Sequence, residues 1–166
     1  MNTLTEARIR ASFVNASKGD ATRATLPDLS AIDCSSLDYL GWQDPKKPVL
    51  HYVALELDGD LAVMMLRGTG KPPARKMMCA WCEDVVDGIH AASFVAPLAG
   101  AAGRRGNTIG TSVCADFGCS RHVRRPPQVH ELRTEDPALL AYYQEKRIEG
   151  LRERSTNFVR ALLARS

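Results

Sequence analysis

Cys79-Ala80-Trp81-Cys82 and, 31 residues further on, Cys114-Ala115-Asp116-Phe117-Gly118-Cys119 decide the reading of this chain. A C-x2-C pair lets both sulfurs of a short turn point at one ion, and a second close pair completes the tetrahedral shell that structural zinc prefers. Four protein ligands leave no open position for water or substrate, so the same pattern argues for a structural rather than a catalytic centre. Ordinary buried cysteines and a four-thiolate iron–sulfur site are the competing readings. His122, three residues after Cys119, and His90 lie close enough in sequence to replace a cysteine as ligand.

The rest of the chain is consistent with a metal-stapled protein. It has 166 residues, enough for one good domain or two small ones, and only 6% aromatic residues, so its core is modest. The start, Met1-Asn2-Thr3-Leu4-Thr5-Glu6, has no basic region followed by an apolar run, which predicts no signal peptide. No stretch approaches the roughly 18 apolar residues that span a bilayer. We therefore expect a cytoplasmic protein, in which thiols stay reduced and paired cysteines bind metal. Cys34 is the odd cysteine and reads as a small buried or half-exposed hydrophobe rather than a reactive thiol, because Asp33 beside it disfavours a thiolate.

Outward from the cysteines, the elements fall into order. Thr3-Leu4-Thr5-Glu6 matches a capping box and predicts a helix over roughly residues 4–16, stopped by Lys18-Gly19-Asp20. The stretch from Leu26 to Trp42 reads as a connection, and Asp44-Pro45-Lys46-Lys47-Pro48 as a turn. Leu50 to Leu57 and Leu61 to Leu66, around Asp58-Gly59, form a β-hairpin signature. Between the cysteine pairs, Ile89 to Pro97 and Thr108 to Val113 read as two strands joined by a glycine-rich tip, and Phe117 to Val123 as a short helix. Gly100, Gly103 and Gly106 have no lysine in the Walker position, so this tip is a weak phosphate-loop candidate. Asp136-Pro137 starts a long helix whose stripe includes Leu140, Tyr143, Ile148, Leu151, Phe158 and Leu162.

Knuckle, hairpin and a second ligand pair at the mouth of a helix is the order of a treble-clef zinc finger, so the predicted fold is α+β. The predicted division is residues 1–70, an N-terminal helix plus β-hairpin packed on the zinc domain, and 71–166, the treble clef with its C-terminal helix. One continuous domain is the alternative. The helix N-terminus brings amides and a positive dipole end to the thiolates.

Charge is informative only locally. Four thiolates and one divalent ion add −2, lowering the formal +3 to about +1. From Gly103 to Arg125, however, Arg104, Arg105, Arg121, Arg124 and Arg125 face the single acid Asp116, and Lys71, Arg75 and Lys76 precede the first pair. Such a patch suits RNA phosphates or an acidic protein surface, and equally suits compensation of the anionic metal cluster. No nucleophile elbow or His-Glu metal motif is present, which leaves hydrolase or transferase chemistry without residues to carry it.

Gly106-Asn107-Thr108-Ile109-Gly110-Thr111-Ser112-Val113-Cys114-Ala115-Asp116-Phe117-Gly118-Cys119, preceded by the Cys79–Cys82 knuckle, resembles the treble-clef domain of the elongation factor G-binding proteins of the FusB-like, fusidic-acid-resistance type. Ile9 to Gly19 and Leu40-Gly41-Trp42-Gln43-Asp44-Pro45 are similar to the actinobacterial branch. The resemblance covers most of residues 5–125. It implies a non-enzymatic protein that binds elongation factor G and helps release it from the ribosome, with one zinc at Cys79, Cys82, Cys114 and Cys119. On this reading Lys76, Arg104, Arg105, Arg121, Arg124 and Arg125 become candidate contacts to the factor, the ribosome or ribosomal RNA. The chain departs from resistance-type members in its short N-terminal region and at Ala16, where the actinobacterial pattern often has cysteine.

Overall fold

A computed structural model describes residues 1–68, 77–84 and 90–164 of the chain. Its centre is a five-stranded antiparallel sheet in the order β1-β2-β3-β4-β5. The strands are β1 (Tyr39–Gln43), β2 (Leu50–Leu57), β3 (Asp60–Gly68), β4 (Ala91–Pro97) and β5 (Thr108–Cys114). The predicted hairpin is β2–β3, which turns at Asp58 (φ 53°) and Gly59 (φ 92°) in the left-handed conformation that Asp-Gly turns supply. The second predicted hairpin is β4–β5, with Ala91 opposite Cys114 and Pro97 opposite Thr108. Arg67 and Gly68 pair with Val95 and Phe94, so one sheet runs from β1 through to β5. The loop residues 69–73, with Lys71, Arg75, Lys76 and Ile89, lie outside the described residues.

Strand alternation sorts the sheet into two faces. Leu40, Trp42, Tyr52, Ala54, Val63 and Met65 pack against Leu4, Ile9, Ala24 and Cys34 from the N-terminal region. Tyr39, Val53, Leu55, Met64 and Leu66 belong instead to the cluster that holds the paired cysteines, Trp81, Leu151, Val159 and Leu162. Being covered on both sides, β2 and β3 each have five consecutive buried residues, 51–55 and 62–66. Of the buried and half-exposed readings of Cys34, the structure takes the buried one, in the first of these clusters.

The N-terminal region differs from the single helix expected. It forms α1 (Glu6–Ala11) and α2 (Lys18–Arg23). Thr5, not Thr3, caps α1, because its hydroxyl accepts from Arg8 N while Glu6 pairs with Arg10 at 2.7 Å. Lys18-Gly19-Asp20 starts a helix rather than stopping one: Ser17 Oγ accepts from Asp20 N, and that cap offsets the cost of Gly19. Between the two helices the chain lies along β3. Val14 N donates to Val63 O, Val63 N to Ser12 O, and the Asn15 amide exchanges hydrogen bonds with the backbone of Met65 while donating to Pro97 O. One side chain thus bridges β3 to the end of β4.

Two further elements were not expected. β1 lies within and just past the stretch read as a connection, and α3 (Gly100–Arg104) occupies the glycine-rich tip. The absent side chain of Gly103 permits α3: a Cβ there would sit 1.8 Å from Leu98 O. The helix after the second cysteine pair, α4, spans only Cys119–His122. The long helix α5 (Pro137–Ala164) packs within the chain through Leu151, Ser155, Val159 and Leu162, and Leu162 O accepts from Ala99 N. Its first turns, with Leu139 and Tyr142, are exposed. No helix among the described residues is long and apolar enough to cross a membrane.

Candidate metal centre

Both cysteine pairs sit on tight turns closed by a left-handed residue. In the first, Glu83 (φ 55°) returns its N–H to Cys79 O at 2.9 Å; in the second, Phe117 (φ 54°) returns its own to Cys114 O at 2.9 Å. Two backbone bonds, Ala80 N to Ser112 O and Ala115 N to His90 O, both 2.8 Å, bind the turns to the same end of the β4–β5 ladder, where Ala91 pairs with Cys114. Gly118 then opens α4, which begins at Cys119. The four sulfurs converge as a result. Cys79 Sγ lies 3.6 Å from Cys119 Sγ and Cys82 Sγ 3.5 Å from Cys114 Sγ, with all four within 4.8 Å of one another and buried.

These distances fit a metal. Sulfur–sulfur bonds are about 2.05 Å, so none of the four is in a disulfide. A tetrahedral ion with metal–sulfur bonds of about 2.3 Å places its sulfurs about 3.8 Å apart. The electrostatics agree. Contacts from Cys114, Cys119 and Cys82 pull the Cys79 thiol far below its ordinary pKa, while contacts to Cys119, Cys79 and Cys82, together with burial, push Cys114 far above its own. Four thiols in this volume cannot all ionise unless a cation joins them.

Hydrogen bonds to the sulfurs surround the cluster. Trp81 N and Cys82 N both donate to Cys79 Sγ at 3.4 Å. His122 Nδ1 lies 3.3 Å from Cys114 Sγ, and its Nε2 lies 3.3 Å from the Arg121 guanidinium, which can only donate. That neighbour assigns the neutral ring its Nδ1–H tautomer, with the proton aimed at the sulfur. Burial also lowers the His122 pKa and favours the neutral ring. Cys114, Asp116 and His122 are also mutually close enough for a metal, but Asp116 is exposed and bound to Arg121 at 2.7 Å. The all-buried sulfur set is the better match, and His122 serves it as a donor. His90 is exposed and contributes its backbone carbonyl to the second turn.

The arginine cluster divides in two. Arg124 donates to the buried Asp38 carboxylate, which also receives Arg152 at 2.8 Å. Arg125 binds the buried Asp84 at 2.8 Å and Glu131 at 2.6 Å, and Arg147 joins Asp84 at 2.6 Å. These two arginines therefore fasten β1, the first knuckle and α5 around the centre. Arg104 and Arg105 are exposed, with no ion pair among the described residues, and the Arg121 side chain is 73% exposed. Lys76 lies outside the described residues. Asp38, Asp84 and Arg147 escaped the sequence reading. The excess of arginine over acid from Gly103 to Arg125 was the available signal that acids elsewhere in the chain must meet it.

Known proteins resemble this chain both in sequence profile and in fold. The profile of the FBP C-terminal treble-clef zinc-finger matches residues 8–162. Among solved structures the fold is similar to that described as "Structure of the fusidic acid resistance protein FusC", with a TM-score of 0.56 and 17% identity, covering 73% of this chain and 53% of that one. The chain thus spans about half the length of that structure. No curated protein sequence matches. The four-cysteine cluster in a zinc-finger family identifies the cofactor as one structural zinc. With the profile running almost from end to end of the sheet and α5, the chain belongs to the FBP C-terminal treble-clef zinc-finger family.

Proposed function

We propose that this protein is a non-enzymatic, zinc-stapled binding module that docks on translation elongation factor G in the cytoplasm and promotes its release from the ribosome. The observation that carries the reading is the family match over residues 8–162, centred on a buried four-sulfur cluster. Cys79, Cys82, Cys114 and Cys119 are the zinc ligands, and a closed four-thiolate shell supplies rigidity rather than chemistry. The segments 1–70 and 71–166 act as one continuous domain, since β3 pairs with β4 across the boundary and Asp38 of the first meets Arg124 and Arg152 of the second.

Within this reading the partner contacts narrow to Arg104, Arg105 and Arg121, together with Lys76, which precedes the first cysteine pair in sequence, because Arg124 and Arg125 are engaged inside the chain. The test is retention of purified elongation factor G by the zinc-replete protein, repeated with Arg104→Glu/Arg105→Glu. Binding by the wild type and weaker binding by the double variant are expected. No binding at micromolar concentration sinks the proposal.

Arg104 and Arg105, exposed and without an ion pair among the described residues, also favour a second reading, direct binding of ribosomal RNA. That reading predicts affinity falling steeply with salt as neutralised phosphates release counterions. A salt titration against RNA and against the factor separates the two.

A further inference from the structure

Among the described residues β5 is an edge strand, paired with β4 and with no other strand. An edge presents unpaired N–H and C=O groups, which proteins usually blunt with charge, proline or brevity. The other edge, β1, is five residues long and buried at Tyr39, Leu40 and Trp42. β5 is seven residues long, Thr-Ile-Gly-Thr-Ser-Val-Cys, with neither a charge nor a proline.

Two backbone bonds fix which of its residues face outward. In an antiparallel strand the N–H and C=O of one residue point to the same side, and successive residues alternate. Asn107 O accepts from Leu98 N on the β4 side, and Ser112 O accepts from Ala80 N on the outer side. Thr108, Gly110 and Ser112 therefore turn their backbone groups outward. Ser112 is already engaged, and its hydroxyl also donates to Met78 O at 3.1 Å. Among the described residues no hydrogen bond reaches the outward groups of Thr108 or Gly110. Both residues are exposed, and because Gly110 has no side chain, its exposure is that of the backbone itself.

The surroundings define the occupant. Val95, 40% exposed, stands directly opposite Gly110. Residues opposite one another share a face of the sheet, so a residue paired with Gly110 from outside sets its side chain over the glycine, toward Val95. Arg104 and Arg105 lead into β5, exposed and without an ion pair among the described residues, and residues 88–115 contain no Asp or Glu. These charges suit an acidic partner. RNA phosphates carry the right charge but only accept, whereas the outward carbonyls of Thr108 and Gly110 need donors. A second copy of this chain pairing through β5 brings the same arginines and no acid. An extended peptide supplies donors and acceptors in alternation.

We infer that the outer edge of β5 at residues 108–110 takes up an extended acidic segment of another protein, which joins the sheet as a further strand with an apolar side chain opposite Gly110. Met78 and Ala80, bonded to Ser112, close one end of the site, and the arginines at the end of α3 flank the other. The inference does not depend on which protein carries the segment, so failure of elongation factor G to bind leaves it standing.

The test selects phage-displayed random linear peptides on the zinc-loaded full chain. Enrichment of acidic sequences with alternating apolar residues is expected. A synthetic copy of the most enriched peptide should slow hydrogen exchange at the Thr108 and Gly110 amides. Gly110→Pro removes an outward N–H at an edge position, where proline is tolerated, and should weaken binding about 10-fold. Gly110→Ala, whose Cβ would meet only Phe94 O at 3.7 Å, should bind as the wild type does. Should Gly110→Pro fail to fold, peptides N-methylated on one or the other set of alternate amides carry the comparison. Loss of binding from one set alone is expected, and any other pattern overturns the inference. No enriched peptide, enrichment without acid, protection elsewhere, or equal binding by Gly110→Pro also overturns it. So does a wild-type dimer with these two amides already protected, or their protection by an RNA oligonucleotide instead of the peptide.

Discussion

The Arg147 guanidinium of α5 donates to the fully buried carboxylate of Asp84, two residues past the first cysteine pair, at 2.6 Å. The same guanidinium donates to His122 O at 2.9 Å, next to the second pair. A single side chain from the long helix thereby clamps both halves of the metal-binding turns. Removing one partner of a buried ion pair leaves a charge stranded, which costs about 3–5 kcal/mol. Asp84→Asn should therefore lower the unfolding free energy by about that amount in chemical denaturation. Arg147→Ala, which leaves Arg125 on Asp84, should cost less. The exposed Lys146–Glu149 pair, which flanks Arg147 on α5, should show no measurable change on neutralisation.

Glu131 gives the clamp a pH dependence. Hydrogen bonding to Arg125, helped by Gln128 N, holds its carboxyl at about 2, against an ordinary value near 4.5. A carboxylate depressed in the folded state contributes stability that is fully present above the unfolded value and is lost as pH falls through the folded one. The stability difference between wild type and Glu131→Gln should accordingly be constant above about pH 4.5 and shrink toward zero near pH 2. Denaturation midpoints of the two proteins across that range measure it. A difference that does not change with pH would contradict the assignment.

The parts legible from sequence were those with local causes. Asp58-Gly59 specifies its own hairpin, Asp136-Pro137 its own helix start, and two close cysteine pairs their own convergence. The parts that escaped depend on distant partners. β1 is five residues long with a glycine in the middle, and it exists because β2 pairs with it from Tyr39 to Gln43. α2 contains Gly19 and is held by its cap and by Arg10, whose guanidinium collects the carbonyls of Ala21, Thr22 and Ala24. The roles of Arg124 and Arg125 turned on Asp38 and Asp84, 86 and 41 positions away. Charge counting within a segment cannot see such acids.

Zinc stoichiometry distinguishes the five cysteines. Metal analysis should give one zinc per chain, lost in Cys114→Ser together with cooperative thermal unfolding, because structural zinc contributes its binding energy to folding. Cys34→Ser should keep the ion, since Cys34 lies in the N-terminal core cluster apart from the other four. Its cost is confined to placing a hydroxyl in an apolar site. Loss of zinc from Cys34→Ser would contradict the ligand set.

Gly41 tests whether β1 and the second metal-binding turn form one packed unit. A Cβ at this position would stand 2.4 Å from Phe117 Cγ and 2.5 Å from Phe117 Cβ, distances that force something to move. Phe117 has little freedom to do so, because it sits between Cys114 and Cys119 in the left-handed conformation and is buried. Overpacking of this kind costs about 1–3 kcal/mol, so Gly41→Ala should destabilise the protein by that order. It should also hasten zinc release, because the strain falls on the turn that carries two sulfurs. The cost should shrink in a Phe117→Gly background, where the clashing atoms are gone and the backbone conformation is one that glycine adopts freely. A double-mutant cycle reads that coupling directly. If the effects of Gly41→Ala and Phe117→Gly simply add, β1 does not bear on the turn, and the metal site stands independently of the N-terminal layer.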